Sequence, residues 1–366
     1  MPDARALAQK AGELLVAGFD GTEPSSEILA LIRSGLGGVI LYRKNCVDAL
    51  QVLELTNRLQ QAARAAGQKQ PLLIAIDQEQ GRVVRIEEGV TVFPAMGAIA
   101  RAGDPALVER VAAATSRELL AVGVNWNLAP VADVLSVPDC PVGDRSFGSD
   151  PSQVARMVAA FVRGAAAAGM RTCAKHFPGH GSTGTDSHVA APAVKRSRAA
   201  LDTMDLVPFR AAIAAGVPAV MTAHITFPEL DPDSPASLSA RVVGGLLRAE
   251  LGFAGVVVSD DLEMAGIARD HSLESSGLAA VRAGSDQIIV SRMLLAERCI
   301  PGLFADLRLA IADGTVPAAT IAAALARVHA FKKRLRWQAD PAAARAVLRA
   351  PAHLSLREEV ERRALG

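Results

Sequence analysis

Aromatic side chains are scarce: ten Phe, two Trp and one Tyr make up 4% of the 366 residues. The core must therefore be built from aliphatic residues and alanine, and a binding site of stacked rings has little stock to draw on. Cysteine is no more plentiful. Cys46, Cys140, Cys173 and Cys299 stand far apart, without a C-x-x-C pair, which excludes a disulfide scaffold and reads as free thiols in a reducing compartment. An excess of charge of one sign is also missing: 39 Lys and Arg face 38 Asp and Glu, so the basic surplus of a nucleic-acid binder is not there. No apolar run approaches the ~20 residues of a membrane span. The N-terminal stretch Met1-Pro2-Asp3-Ala4-Arg5-Ala6-Leu7 lacks the basic start and the apolar run of about 7–15 residues that a signal peptide needs. These absences lead to the expectation of a cytoplasmic protein with no nucleic-acid or membrane partner; a monomer is expected as well. What is present is hydrophobic mass, half of all residues, in a chain long enough for one large α/β barrel or two ordinary domains.

Short apolar, often β-branched runs recur, each followed by helical periodicity, the pattern of βα units around a parallel sheet. Strands are expected at 14–19, 38–42, 72–77, 124–130, 172–177, 219–225, 255–260 and 287–291. Helices are expected at 25–34, 48–66, 105–122, 151–169, 197–215, 239–251, 272–284 and 317–336. Eight such units match a (β/α)8 TIM barrel, and Gly18-Phe19-Asp20-Gly21 is not the phosphate turn of a doubly wound sheet. The expected organisation is one catalytic barrel domain over 1–337 with a helical tail over 338–366. Lys332-Lys333-Arg334-Leu335-Arg336 reads as a solvated helix face. Long connections at 78–104, 131–150 and 178–196 all follow strands, on the side where a barrel assembles its active site.

Three of the seven histidines crowd into the stretch from Lys175 to His188, which begins at the end of the fifth strand. Three chemistries compete for it. The glycines 179–184 suggest a phosphate cradle, but the lysine of that motif is missing. His176, His180, Asp186 and His188 could ligate a metal, although Lys175 beside them does not suit a cation. Alternatively, Asp186 and His188 form a proton-transfer pair, the carboxylate orienting the ring. The seventh strand ends in Ser259-Asp260-Asp261, and strand alternation allows only one of the two carboxylates to point inward while the strand lasts. One suits a nucleophile, the other a cap or hydrogen-bonding support. Asp77 ends the third strand and His224 the sixth. With Arg145 and Lys175 they make a polar ring suited to sugar hydroxyls and an amide, although a salt bridge to Asp144 or a loop carbonyl would equally explain Arg145.

The chain resembles the family 3 glycoside hydrolases, in particular their bacterial β-N-acetylglucosaminidase (NagZ-type) branch. The likeness runs in order through Gly37-Gly38-Val39-Ile40-Leu41-Tyr42, Ile76-Asp77-Gln78-Glu79, Phe93-Pro94-Ala95-Met96, Asn127-Leu128-Ala129-Pro130-Val131-Ala132-Asp133-Val134, Gly143-Asp144-Arg145-Ser146-Phe147, the segment 175–188 and Ser259-Asp260-Asp261-Leu262. The resemblance implies a (β/α)8 fold and cofactor-free, metal-free removal of terminal β-linked N-acetylglucosamine with retention, from muropeptides during peptidoglycan recycling. It implies Asp260 as nucleophile, His188 as acid/base with Asp186 as its partner, and Asp77, Arg145, Lys175 and His176 as ligands of the sugar. Gln80 stands where the family has the first of two glycines, and Ser182 where it has an acidic residue or Asn. Two alternatives remain open: phosphorolysis of the same glycosides, and a metal-dependent amidohydrolase-type barrel.

Overall fold

The computed structural model describes residues 3–184, 192–291 and 293–365. Its described strands β1 (Leu15–Ala17), β2 (Gly38–Leu41), β3 (Leu73–Ile76), β4 (Trp126–Asn127), β5 (Arg171–Phe177), β6 (Ala219–Thr222), β7 (Val256–Asp261) and β8 (Gln287–Val290) close into a barrel. Each pairs in parallel with its neighbours in the chain, and β8 returns to β1 through the register Leu15 to Ile288. Aliphatic runs such as Leu73–Ile76 are buried on both faces, as parallel strands wrapped by helices must be. Alternation divides them. Val16, Ile40, Leu73, Ala75, Trp126, Cys173, Met221, Val256, Val258 and Ile289 fill the barrel, whereas Val39, Ile74, Ile76, Val257 and Ile288 face the helices.

Every expected strand is present: six are shorter by one to five residues, β5 begins one residue earlier and β7 is shifted forward by one; the fourth is the shortest. The helices follow their caps. Ser25, Asp48, Asp104, Asp150 and Ser272 each accept backbone N–H bonds at a helix start, and Pro105 and Pro151 occupy the first helical turn. One expected helix is misplaced. The helix that completes the eighth unit is Met293–Ala312, not the expected 317–336. Pro301 lies inside that helix.

The following helix, Ala318–Lys332, instead closes the N-terminal end of the barrel. Phe331 meets Trp126 edge-on, with ring centroids 5.1 Å apart, and Arg171 at the start of β5 donates to the Phe331 carbonyl at 2.8 Å. Lys332 is therefore not solvated. It is buried, and its Nζ donates to the Gly37 carbonyl at 2.7 Å just before β2. Beyond it, helices Pro341–Val347 and Pro351–Leu365 lie against the helix Pro105–Ala121. There the buried Glu118 carboxylate receives the Arg349 amide at 3.0 Å and lies 2.7 Å from His353 Nδ1.

Candidate active site

At the C-terminal ends of the strands a cavity of about 800 Å3 opens. Alternation continues past the aliphatic layers into it. Asp77 extends the inward row Leu73, Ala75; Lys175 extends Cys173; Asp260 extends Val256 and Val258. Arg145 arrives from the loop between β4 and the helix Pro151–Ala168. His176 also lines the cavity, beside a cis peptide bond to Lys175, where the β5–β6 ladder shifts between Ala174 and Phe177. Five of the expected site residues, Asp77, Arg145, Lys175, His176 and Asp260, thus meet in one cavity. Asp186 and His188 lie outside the described residues.

The two adjacent carboxylates of β7 are separated by the same alternation. Asp261 shares the outward row of Val257, and its carboxylate accepts from the Ser291 hydroxyl and, at 3.1 Å, from both the Ser291 and Glu263 amides. Burial, with Asp260 beside it, raises the Asp261 carboxyl above its ordinary value, so it is a support. Burial acts on Asp260 too, but His176, His224, the Asp261 amide at 2.9 Å and Lys175 outweigh it and hold Asp260 below the usual carboxylate range. Asp260 is therefore an anion at neutral pH, facing the cavity. His224 stands behind it rather than in the cavity wall, between Ser237 Oγ at 2.7 Å and the Asp261 carbonyl at 2.9 Å.

Opposite runs a chain of ion pairs. Arg85 Nη2 is 3.4 Å from Asp77 Oδ2, Lys175 Nζ 2.6 Å from Asp77 Oδ1 and 2.5 Å from Glu79 Oε1, and Arg145 makes a fork on Glu79 at 2.7 and 2.9 Å. Burial alone would push Glu79 up, but Lys175 and Arg145 hold it well below the carboxylate range; Lys175, which burial would lower, is raised by Asp77 and Glu79. Asp144 is not the partner of Arg145; it pairs with Arg82 at 3.0 Å.

Glu79 and Asp133 are functional candidates that the motifs contain but residue-by-residue reasoning passed over. Glu79 repeats the parity of Asp77 two residues on, a signal legible in the sequence. Asp133, fully buried, accepts from the His176 and His180 amides at 3.1 and 2.7 Å and lies 2.8 Å from His176 Nδ1, fixing that ring. Burial opposes the charge on Asp133, yet His176 and these bonds hold its carboxyl below the ordinary value. Among the described residues no group of three or more His, Cys, Asp or Glu is arranged to hold a metal ion.

Both departures noted in the sequence are built into hydrogen bonds. Gln80 adopts a φ of 79° and turns inward, its Oε1 accepting from the Phe93 amide and its Nε2 donating to Thr115, each at 2.9 Å. Ser182 donates to Asp205 Oδ1 at 2.8 Å, Arg196 donates to Asp205 Oδ2 at 2.8 Å and to Ser136 Oγ at 2.8 Å, and Ser136 returns to Ser182 at 3.0 Å. This closed ring ties residues 182 and 196, on either side of the sequence that contains Asp186 and His188, to one buried carboxylate. Neither Trp126 nor Trp337 lines the cavity, whose aromatic lining among the described residues is Tyr42 and His176.

Comparison with known proteins gives one direction. The pattern described as "Glycosyl hydrolase family 3 N terminal domain" matches residues 6–331. A β-hexosaminidase of Alkalilimnicola ehrlichii is 41% identical over 283 residues, 75% of this chain and 80% of its own length. The solved glycoside hydrolase family 3 β-N-acetylglucosaminidase from Paenibacillus sp. str. FPU-7 superposes with a TM-score of 0.90 at 40% identity, over 98% of this chain and 68% of that one. NagZ from Neisseria gonorrhoeae, solved in complex with N-trifluoroacetyl-D-glucosamine, gives a TM-score of 0.79 at 30% identity, over 96% of this chain and 98% of its own.

Proposed function

The chain belongs to glycoside hydrolase family 3, and from that premise we propose that it is a retaining exo-β-N-acetylglucosaminidase that removes terminal β-linked N-acetylglucosamine. The observation that carries this is Asp260: an inward carboxylate at the end of β7, kept anionic in a cavity whose opposite wall offers paired donors and acceptors. Asp77, Arg145, Lys175 and His176 are the groups for the hydroxyls and the N-acetyl group of one sugar, a task that hydrogen-bonded ion pairs perform without stacked rings.

In the first step Asp260 attacks the anomeric carbon while His188, oriented by Asp186, protonates the departing oxygen; the glycosidic bond breaks as the Asp260–sugar ester forms. In the second, His188 takes a proton from water, water displaces Asp260, and the sugar leaves with its β configuration. The assignment of His188 and Asp186 rests on the sequence pattern. For Asp260 the electrostatics of the wall add support, since a nucleophile must be deprotonated at working pH.

The resemblance supports a muropeptide as substrate, acting in peptidoglycan recycling, and a monomer in the cytoplasm as its setting. No described helix is long and apolar enough to cross a membrane. Residues 1–337 as catalytic domain and 338–366 as docked tail complete the proposal, supported by the contacts of Glu118 with Arg349 and His353. The test is product analysis with a muropeptide beside chitobiose, in buffer with and without phosphate. β-N-acetylglucosamine released faster from the muropeptide supports the proposal. Preference for chitobiose removes the recycling role, sugar 1-phosphate would indicate phosphorolysis, and loss of activity on chelation would indicate the metal-dependent alternative.

A further inference from the structure

Glu79 has no part in the two-step scheme, yet it is among the most closely held charges of the cavity wall, with 3% of its side chain exposed. Lys175 and Arg145 both converge on it. The ion-pair chain Arg85, Asp77, Lys175, Glu79, Arg145 holds three cations and two carboxylates, and Asp260, across the cavity, supplies a third negative charge. Within this set three positive charges face three negative ones. Without Glu79 the chain would carry a surplus of two positive charges against Asp260 alone; Arg145 would lose both acceptors of its fork and Lys175 would keep only Asp77. Convergent cationic donors short of an acceptor are the chemistry of an oxyanion site.

We infer that Glu79 is a specificity-determining residue: it neutralises and orients the Lys175–Arg145 pair, so that this wall of the cavity accepts the uncharged N-acetylated sugar and rejects an anion in its place. The inference rests on the reading of Lys175 and Arg145 as sugar ligands. It gives Glu79 two separable tasks. Its charge cancels one of the two cations, and its fork fixes the guanidinium plane of Arg145, which comes from a loop rather than a strand.

The two tasks separate in steady-state kinetics on 4-nitrophenyl N-acetyl-β-glucosaminide, with sodium sulfate as competing anion at constant ionic strength. In the full-length chain Glu79→Gln keeps the shape and removes the charge. It is expected to raise KM about tenfold or more, lower kcat by less, and make sulfate a competitive inhibitor at least about tenfold tighter than for wild type, as a unit charge a few ångströms from the anion requires. Glu79→Asp keeps the charge at shorter reach, so KM stays raised while sulfate inhibits no better than for wild type. Unchanged sulfate inhibition in Glu79→Gln overturns the inference, whatever happens to kcat. If melting shows that Glu79→Gln does not fold, Glu79→Asp decides, because tightened sulfate inhibition there contradicts the role of charge. Arg145→Met tests the underlying reading. An unchanged KM in that variant removes Arg145 as a sugar ligand, whereas a raised KM alongside sulfate-insensitive Glu79→Gln removes the Glu79 inference alone.

Discussion

Lys332→Met is a perturbation whose size and sign follow from the structure. Lys332 is buried where the helix Ala318–Lys332 closes the barrel, and burial, only partly offset by Glu13, lowers its ammonium from 10.5 to about 8. Below pH 8 both the folded and the unfolded chain hold the proton, and the folded state carries the whole cost of burying it. Between pH 8 and 10.5 the unfolded chain still holds a proton that the folded chain has released, so stability rises with pH across that window. The gap is worth up to about 3 kcal/mol. Methionine has a similar length and no charge, so it removes that cost together with the Nζ bond to Gly37, itself worth about 1 kcal/mol. The Gly37 carbonyl keeps a partner, the Leu73 amide at 3.2 Å. The variant should therefore gain about 2 kcal/mol at pH 6.5 and nothing, or a slight loss, at pH 10.5. Urea unfolding of both proteins at the two pH values measures this, other titrating groups cancelling in the difference. A difference that does not change with pH, or a variant less stable at pH 6.5, would refute the reasoning.

Three further outcomes are expected. His188→Ala should slow glycosides with poor leaving groups far more than activated ones, by about 10²-fold or more for an alkyl aglycone, because only the former need proton donation; equal losses across a leaving-group series would remove His188 as the acid. Gln80→Gly relieves a left-handed backbone by about 1 kcal/mol but strands the buried Phe93 amide and the Thr115 hydroxyl. The net is a loss of about 1–3 kcal/mol in urea unfolding, and an equally stable or stabilised variant would contradict the assignment. Asp205→Ala removes the acceptor shared by Ser182 and Arg196 and leaves a half-buried guanidinium without its carboxylate, for a loss of about 3 kcal/mol; a change below about 1 kcal/mol would show that the ring contributes little.

The barrel was legible because strands buried on both faces leave short aliphatic runs that need no partner to be recognised, and because Ser25, Asp48, Asp104, Asp150 and Ser272 mark helix starts locally. The eighth helix lies at Met293–Ala312 rather than 317–336, and Pro301 inside it is a residue that local propensity does not place in a helix interior. Lys332 looked solvated among Lys333, Arg334 and Arg336, since nothing near it in sequence announces Trp126 or Gly37. In the site, alternation alone tells Asp260 from Asp261 once the strand is known to continue through both. Asp77 and Lys175 could be placed because they end strands. The fork from Arg145 to Glu79 spans 66 residues and the clamp of Asp133 on His176 spans 43. Contacts of that range are made by barrel closure, and no local pattern encodes them.

The central claim is that Asp260 forms a covalent bond to the sugar. Incubation with a fluorinated N-acetylglucosaminide bearing an activated leaving group, followed by proteolysis and mass spectrometry, tests it directly. The account predicts one fluorosugar added to the peptide containing Asp260, located on that carboxylate, and no adduct in Asp260→Ala. A label on any other residue, or inactivation without an adduct together with release of the α-anomer, would contradict it.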